Sequence, residues 1–309
     1  MTGLLRSSSR RARALVLGTA VVFLLVLLAC AHVEPRVDPS LASGALIVDG
    51  RERTFLSWEA GAGAPLVLAL HGRLGTPAGM AKLSGLLPLA QRERFTVVFP
   101  AGIERSWRDA REVGPAAEQG VDDVRFLTGL IDEFVRRGAD PSRVFVMGMS
   151  NGGFMALTLA CRAGDRLAGL VSVTGALSRP LAEACPWPRR VPVVFFLGTE
   201  DPLVPFEGGA MKQGRGEVLS AEDGARFFAA KNGCATSPEL SALPDLADDG
   251  TRVELQRFAG CAAPVGLYVV RGGGHAWPGG WKYLREAFVG RRSEDVNASE
   301  AAWRFLTAR

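Results

Sequence analysis

Imidazole is scarce in this 309-residue chain, which has three histidines, His32, His71 and His275. Chemistry that needs a histidine base therefore has few places to go. Cysteine is nearly as rare. The five present are Cys30, Cys161, Cys185, Cys234 and Cys261, and none shows the C-x-x-C spacing of a zinc ligand pair. After residue 31 no window approaches the roughly 18 consecutive apolar residues that a membrane-spanning helix needs. A basic surplus is also missing once the N-terminal leader is set apart. The formal +4 comes from 36 Lys and Arg against 32 Asp and Glu, and Arg6, Arg10, Arg11 and Arg13 account for the difference. The remaining chain is formally neutral, so binding nucleic acid through counterion release has no global electrostatic support.

What the leader does have is an order. Those four arginines precede Leu15–Ala29, a run that is apolar apart from Gly18 and Thr19. A basic segment followed by an apolar core is the layout of a secretory signal peptide. The run closes on Leu27-Leu28-Ala29-Cys30, which resembles the bacterial lipobox, where cleavage leaves a cysteine to be lipidated. The expectation is a lipoprotein signal peptide over residues 1–29, then a lipidated Cys30 and a tether over residues 30–43. The catalytic domain would cover residues 44–309, held to the cell envelope by a membrane-inserted lipid or released outside the cell. In such an oxidising place the four cysteines beyond Cys30 form an even set. Three pairings are open to them, and the expectation is that sequence neighbours join, Cys161 with Cys185 and Cys234 with Cys261.

Beyond the tether the chain alternates. Ala45–Val48 and Arg53–Trp58 flank Asp49-Gly50, a hairpin turn signal. Leu66–Leu70, Thr96–Phe99, Val144–Met147, Leu170–Val173, Val193–Leu197 and Leu267–Val270 are short apolar runs suited to buried parallel strands. Helical patterns cover Val121–Arg137, Asn151–Arg162, Ala221–Asn232 and Ala298–Ala308, while Pro238–Gly250 reads as a surface excursion. Such alternation predicts one α/β domain with a mostly parallel central sheet and helices on both faces.

The chemistry gathers in three short segments. Gly148-Met149-Ser150-Asn151-Gly152-Gly153 follows a predicted strand and opens a predicted helix. A serine at such a turn stands on strained backbone, with glycines leaving room for neighbouring chain and a helix N-terminus nearby to favour negative charge. Serine needs a base, since its hydroxyl is a weak nucleophile at neutral pH. His275, in Gly272-Gly273-Gly274-His275 after the last predicted strand, is the candidate. His32 lies in the tether, and His71 reads as a turn-shaping residue. Asp201, behind the strand Val193–Leu197, is the candidate acid that would fix the imidazole tautomer; Glu200, Asp223, Asp245, Asp248 and Asp249 compete for that role. The oxyanion would take the backbone N–H of Asn151 and that of Arg73. Trp107 and Trp277 are candidate walls of a substrate pocket.

With these residues in view, the sequence resembles the secreted esterases of the polyhydroxybutyrate-depolymerase and feruloyl-esterase group, over most of residues 44–309. The likeness is carried by His71-Gly72, Val121-Asp122-Asp123-Val124, Asp140-Pro141-Ser142-Arg143-Val144 and the Ser150 motif. It continues through Gly198-Thr199-Glu200-Asp201, Asn232-Gly233-Cys234 and the run from Gly272 through Trp277-Pro278-Gly279. The resemblance implies an α/β-hydrolase fold, a Ser150–Asp201–His275 triad and no cofactor. One departure is Leu74, where members often carry glycine. The implied activity is hydrolysis of carboxylic esters, polymeric ones included, through an acyl-enzyme, on feruloyl or acetyl polysaccharide esters or short polyhydroxyalkanoate esters. A peptidase on the same fold and a non-catalytic surface-binding lipoprotein remain open at this point.

Overall fold

The computed structural model of the chain describes residues 35–308. The expected signal peptide and the lipidation candidate Cys30 lie outside the described residues. Val37–Arg309 clusters as one compact unit. Its strands are β1 (Ala42–Val48), β2 (Arg51–Trp58), β3 (Leu66–Leu70), β4 (Thr96–Pro100), β5 (Val144–Met149) and β6 (Gly169–Val173). Then come β7 (Val193–Gly198), a two-residue pair β8 (Gly209–Ala210) and β9 (Glu217–Val218), and finally β10 (Glu239–Ala242), β11 (Arg252–Phe258) and β12 (Val265–Arg271).

Ten of these strands form one sheet in the order β1-β2-β4-β3-β5-β6-β7-β12-β11-β10. The centre, β4 through β12, is parallel, and the hairpin strands at each edge are antiparallel. Every residue of β3, β4, β5, β6 and β7 is buried. Only a strand covered on both faces needs to be apolar throughout, which is why these runs stand out in the sequence.

The alternation of side chains along each strand divides the core into two layers. On one face Leu66, Leu68, Leu70, Val144, Val146, Phe195 and Leu267 pack under three helices: α3 (Asp123–Arg136), α4 (Asn151–Ala163) and α5 (Ala221–Asn232). On the other face Val67, Ala69, Val97, Phe145, Met147, Val171 and Tyr268 meet α1 (Pro77–Ser84), α2 (Leu86–Glu93) and α6 (Ala298–Thr307). Each fully buried Leu, Val or Phe contributes roughly 1.5–3 kcal/mol of transfer free energy. Burying both faces is thus what drives the layers together.

The helix ends follow their sequence signals. Asp122 caps α3 by accepting the N–H of Arg125 at 2.9 Å, and the apolar stripe of α3 buries Leu127, Leu130, Ile131 and Phe134. Val124 is only half buried. Cys161 bonds Cys185, and Cys234 bonds Cys261, so sequence neighbours pair as expected.

At the start of the sheet Leu41 is buried and β1 begins at Ala42, pairing with Ser57 of β2. Pro238–Gly250 lies at the surface, and part of it is a strand the sequence did not announce: β10 hydrogen-bonds to β11 at the sheet edge, with all four of its residues exposed. An edge strand without a buried face leaves no apolar alternation to read. Among the described residues no helix is long and apolar enough to cross a membrane.

Candidate active site

Parallel strands put the loops at their carboxyl ends side by side, and those loops carry the candidate residues. Ser150 follows β5, Asp201 follows β7 and His275 follows β12. β6 and β7 stand between β5 and β12, so chain order and spatial order differ.

Ser150 holds a strained backbone, φ 54° and ψ −119°, between β5 and α4. Such conformations cost on the order of 1–3 kcal/mol and persist only where the surroundings enforce them. Here its N–H donates to the Val173 carbonyl at 2.8 Å, and its carbonyl accepts from Phe154 at 2.9 Å, the first turn of α4. The flanking glycines are required by contact. A Cβ on Gly148 would stand 2.1 Å from the Gly152 carbonyl oxygen, and one on Gly152 would stand 2.3 Å from that of Leu70. The G-x-S-x-G spacing is therefore the spacing at which a tight strand-to-helix turn can pass under β3.

The Asp201–His275 contact is made. His275 Nδ1 lies 2.7 Å from Asp201 Oδ2, with both side chains buried. The other carboxylate oxygen, Oδ1, accepts the N–H groups of Leu203 and Val204 at 2.8 and 2.9 Å. An ionised carboxylate only accepts, so Nδ1 carries the proton and Nε2 presents its lone pair. The two loops are stitched together by backbone bonds, Thr199 N–H to Val270 at 3.0 Å and Glu200 N–H to Gly273 at 2.9 Å. Among the described residues neither Ser150 Oγ nor His275 Nε2 makes a hydrogen bond.

The loop after β3 comes close to Ser150, for a Cβ on Gly72 would be 3.4 Å from Ser150 Cβ. The N–H groups of Arg73 and Asn151 have no acceptor among the described residues, as oxyanion donors require. Leu74 takes φ 63° with its side chain largely exposed, and its N–H donates to the Arg105 carbonyl at 2.8 Å. That left-handed position is the one at which members of the resembled group often carry glycine.

Neither Trp107 nor Trp277 lines the pocket beside Ser150. Trp107 is fully buried, and its indole N–H donates to the His71 carbonyl at 2.8 Å. Trp277 is packed on the opposite core layer, with its indole N–H on Ser299 Oγ at 3.1 Å. Both spend their aromatic surface and their polar handle inside the protein, leaving none for a ligand.

Sequence reasoning missed the supports behind these loops. The Asn151 side chain accepts the Trp107 N–H at 2.8 Å and donates to the Trp107 carbonyl at 3.0 Å and to Asp109 at 2.8 Å. Asp109 in turn receives Arg111 through two nitrogens, at 2.8 and 2.6 Å. Asp123, one of the residues carrying the family resemblance, is buried against Arg53 at 2.6 Å and accepts the Arg108 N–H at 2.7 Å. Burial pushes its carboxyl pKa up, while Arg53 opposes that shift. Together these bonds hold residues 107–111 against the start of α4. The sequence signal for them was the acids themselves, Asp109 after Trp107-Arg108 and the Asp122-Asp123 pair.

The pocket beside Ser150 is lined by Arg73, Arg111 and Arg215 and by apolar side chains including Phe154, Val204 and Met211. Among the described residues no group of three or more His, Cys, Asp or Glu is placed to hold a metal ion.

Comparison with known proteins bears on the family and the fold. Residues 63–221 match the family described as phospholipase/carboxylesterase. The chain is 32% identical over 294 residues to "Putative esterase NocK" of Nocardia uniformis subsp. tsuyamanensis, covering 88% of this chain and 84% of that protein. It is 26% identical over 232 residues to feruloyl esterase B of Piromyces equi, covering 72% of this chain but 42% of that longer protein. Among solved structures, the acetyl xylan esterase from Aspergillus awamori superposes with a TM-score of 0.56 at 14% identity, covering 76% of this chain and 94% of that one. At that identity the match speaks for the fold.

Proposed function

Because this chain belongs to the phospholipase/carboxylesterase family of α/β-hydrolases, we propose that it is an exported serine esterase working through an acyl-enzyme on Ser150. The observation that carries the reading is the Asp201–His275 contact of 2.7 Å, which leaves Nε2 as an acceptor at the carboxyl end of the parallel strands, the end at which Ser150 stands strained. A base held in that tautomer is what a serine hydroxyl needs. The missing Ser150–His275 hydrogen bond does not oppose the role, since such bonds commonly tighten only around substrate.

In this mechanism His275 takes the Ser150 proton as Oγ attacks the ester carbonyl. The negative charge moves to the carbonyl oxygen, toward the N–H groups of Arg73 and Asn151 and the N-terminus of α4. His275 then gives its proton to the leaving alcohol. Water, deprotonated by His275, attacks the acyl carbon, and His275 returns that proton to Ser150 Oγ as the acyl–oxygen bond breaks and the acid product leaves. Asp201 stabilises the imidazolium in both halves. Substrates are carboxylic esters, with feruloyl or acetyl polysaccharide esters and short hydroxyalkanoates as the candidate classes. The two disulfides support an oxidising location, and the leader with Cys30 supports a lipid anchor in the cell envelope.

Active-site labelling tests the reading. A fluorophosphonate probe is expected to add to the peptide containing Ser150, with labelling lost in Ser150→Ala and slowed in His275→Ala. Labelling elsewhere, or none, would overturn it.

A further inference from the structure

We propose that the ester this enzyme prefers carries a carboxylate, held by the guanidinium groups of Arg73 and Arg215 in the pocket beside Ser150. The inference rests on the esterase reading and narrows its substrate class.

Three arginines line this pocket and no Asp or Glu does. Arg111 is already neutralised. It forms a two-pronged pair with Asp109, lies 3.5 Å over the Phe154 ring, and directs its remaining nitrogen toward the Arg215 carbonyl at 3.5 Å. It serves as a wall. Arg73 and Arg215 differ. Among the described residues the Arg73 side chain has neither a hydrogen-bond acceptor nor a carboxylate partner. Arg215 donates to the amide oxygen of Gln213 at 2.6 Å and, among the described residues, pairs with no carboxylate.

The two charges also oppose one another. Arg215 has its pKa lowered, first by burial and then by the positive charges of Arg73 and Arg111. Like charges brought together at a partly desolvated pocket are unfavourable in the empty protein. A bound anion reverses the sign of that interaction, and the planar fork of a guanidinium matches a carboxylate with two parallel hydrogen bonds. Position makes the anion part of the substrate: Arg73 directly follows Gly72, whose place lies against Ser150. The apolar side chains of Phe154, Val204 and Met211 supply the surface for the carbon chain between ester and charge. Of the candidate substrates, a short hydroxyalkanoate oligomer has such a group at its acid end, whereas feruloyl and acetyl esters of neutral sugars do not.

The test measures kcat/KM on two matched pairs with the full chain. The 3-hydroxybutyrate trimer against its terminal methyl ester places the charge on the alcohol side. 4-Nitrophenyl hydrogen adipate against 4-nitrophenyl hexanoate places it on the acyl side. At low salt the charged member of one pair is expected to lead by about tenfold or more, mostly through KM. The pair that shows the lead tells which side of the ester carries the charge. The lead should shrink as salt rises, fall toward parity in Arg215→Gln, and return in part in Arg215→Lys. The salt series on the unaltered enzyme stands even where a variant fails to fold. Turnover of the neutral esters with no preference in either pair would overturn the carboxylate site and leave the esterase reading intact. A preference untouched by Arg215→Gln would overturn it too, as would an equal loss on both members, which would mean that the arginine acts on the oxyanion. Turnover of none of the four would remove both.

Discussion

The imidazole of His71 links two loops. Its Nε2 accepts the N–H of Gly102 at 3.0 Å, and its Nδ1–H donates to the Gly72 carbonyl at 2.8 Å. The ring thereby fixes the loop that carries Arg73 against the loop after β4. The bond from Gly102 needs the neutral ring, and burial pushes the imidazole pKa down from 6.5 to about 4. In the unfolded chain His71 takes a proton at the ordinary value, so the unfolded state binds more protons between those two values. Stability is therefore complete above pH 6.5 and falls as the solution is acidified toward pH 4. Between neutral pH and about pH 5 the loss should be about 2 kcal/mol. Urea unfolding across that range checks it, and His71→Gln should flatten the slope.

Leu74 supplies a second test. Its φ of 63° is unfavourable for any residue with a Cβ, and its exposed side chain gives little burial in return. Leu74→Gly is expected to raise stability by about 1 kcal/mol, the greater freedom of glycine in the unfolded chain offsetting part of the gain. A thermal melt that drops would contradict the strain argument.

Asp201→Asn should spare the fold and damage catalysis. An amide oxygen can still accept from Leu203 and Val204, but its NH2 would then face His275 and force the proton onto Nε2. With the base in the wrong tautomer, kcat should fall by roughly 10⁴ with KM little changed. A loss below about tenfold would place the acid elsewhere.

The Cys161–Cys185 bond ties the end of α4 to the loop before β7 across a separation of 24 residues. Loop-closure entropy suggests a contribution of about 3 kcal/mol. The double serine variant should show that loss in denaturant unfolding while leaving the Ser150 turn, at the other end of α4, in place.

Much of this was legible in the sequence because it follows from local pattern. The six central strands are covered on both faces, so they read as largely apolar runs, with Thr96 and Ser172 among the few polar residues. Ser150, with its glycines, reads as a turn that few other sequences could make. The rest depended on distance in the chain. Nothing near Trp107 or Trp277 says that their indoles are enclosed, since Ser299 and the His71 carbonyl become their partners only on folding. β10 is exposed along its whole length and shows no period. Asp109, Arg111 and Asn151 form a network across 42 residues of sequence between Asp109 and Asn151, which no local window contains. The arginine pocket is similar, because Arg73 and Arg215 come from loops far apart in the chain.

The central claim is that Ser150 is an ester-cleaving nucleophile. The most direct measurement is turnover of 4-nitrophenyl acetate and of the 3-hydroxybutyrate trimer by the full chain beside Ser150→Ala, with both proteins shown to melt alike. The account predicts ester turnover by the parent and a loss of at least roughly 10³-fold in the variant. Equal rates in the two proteins, or no turnover above background in either, would contradict it.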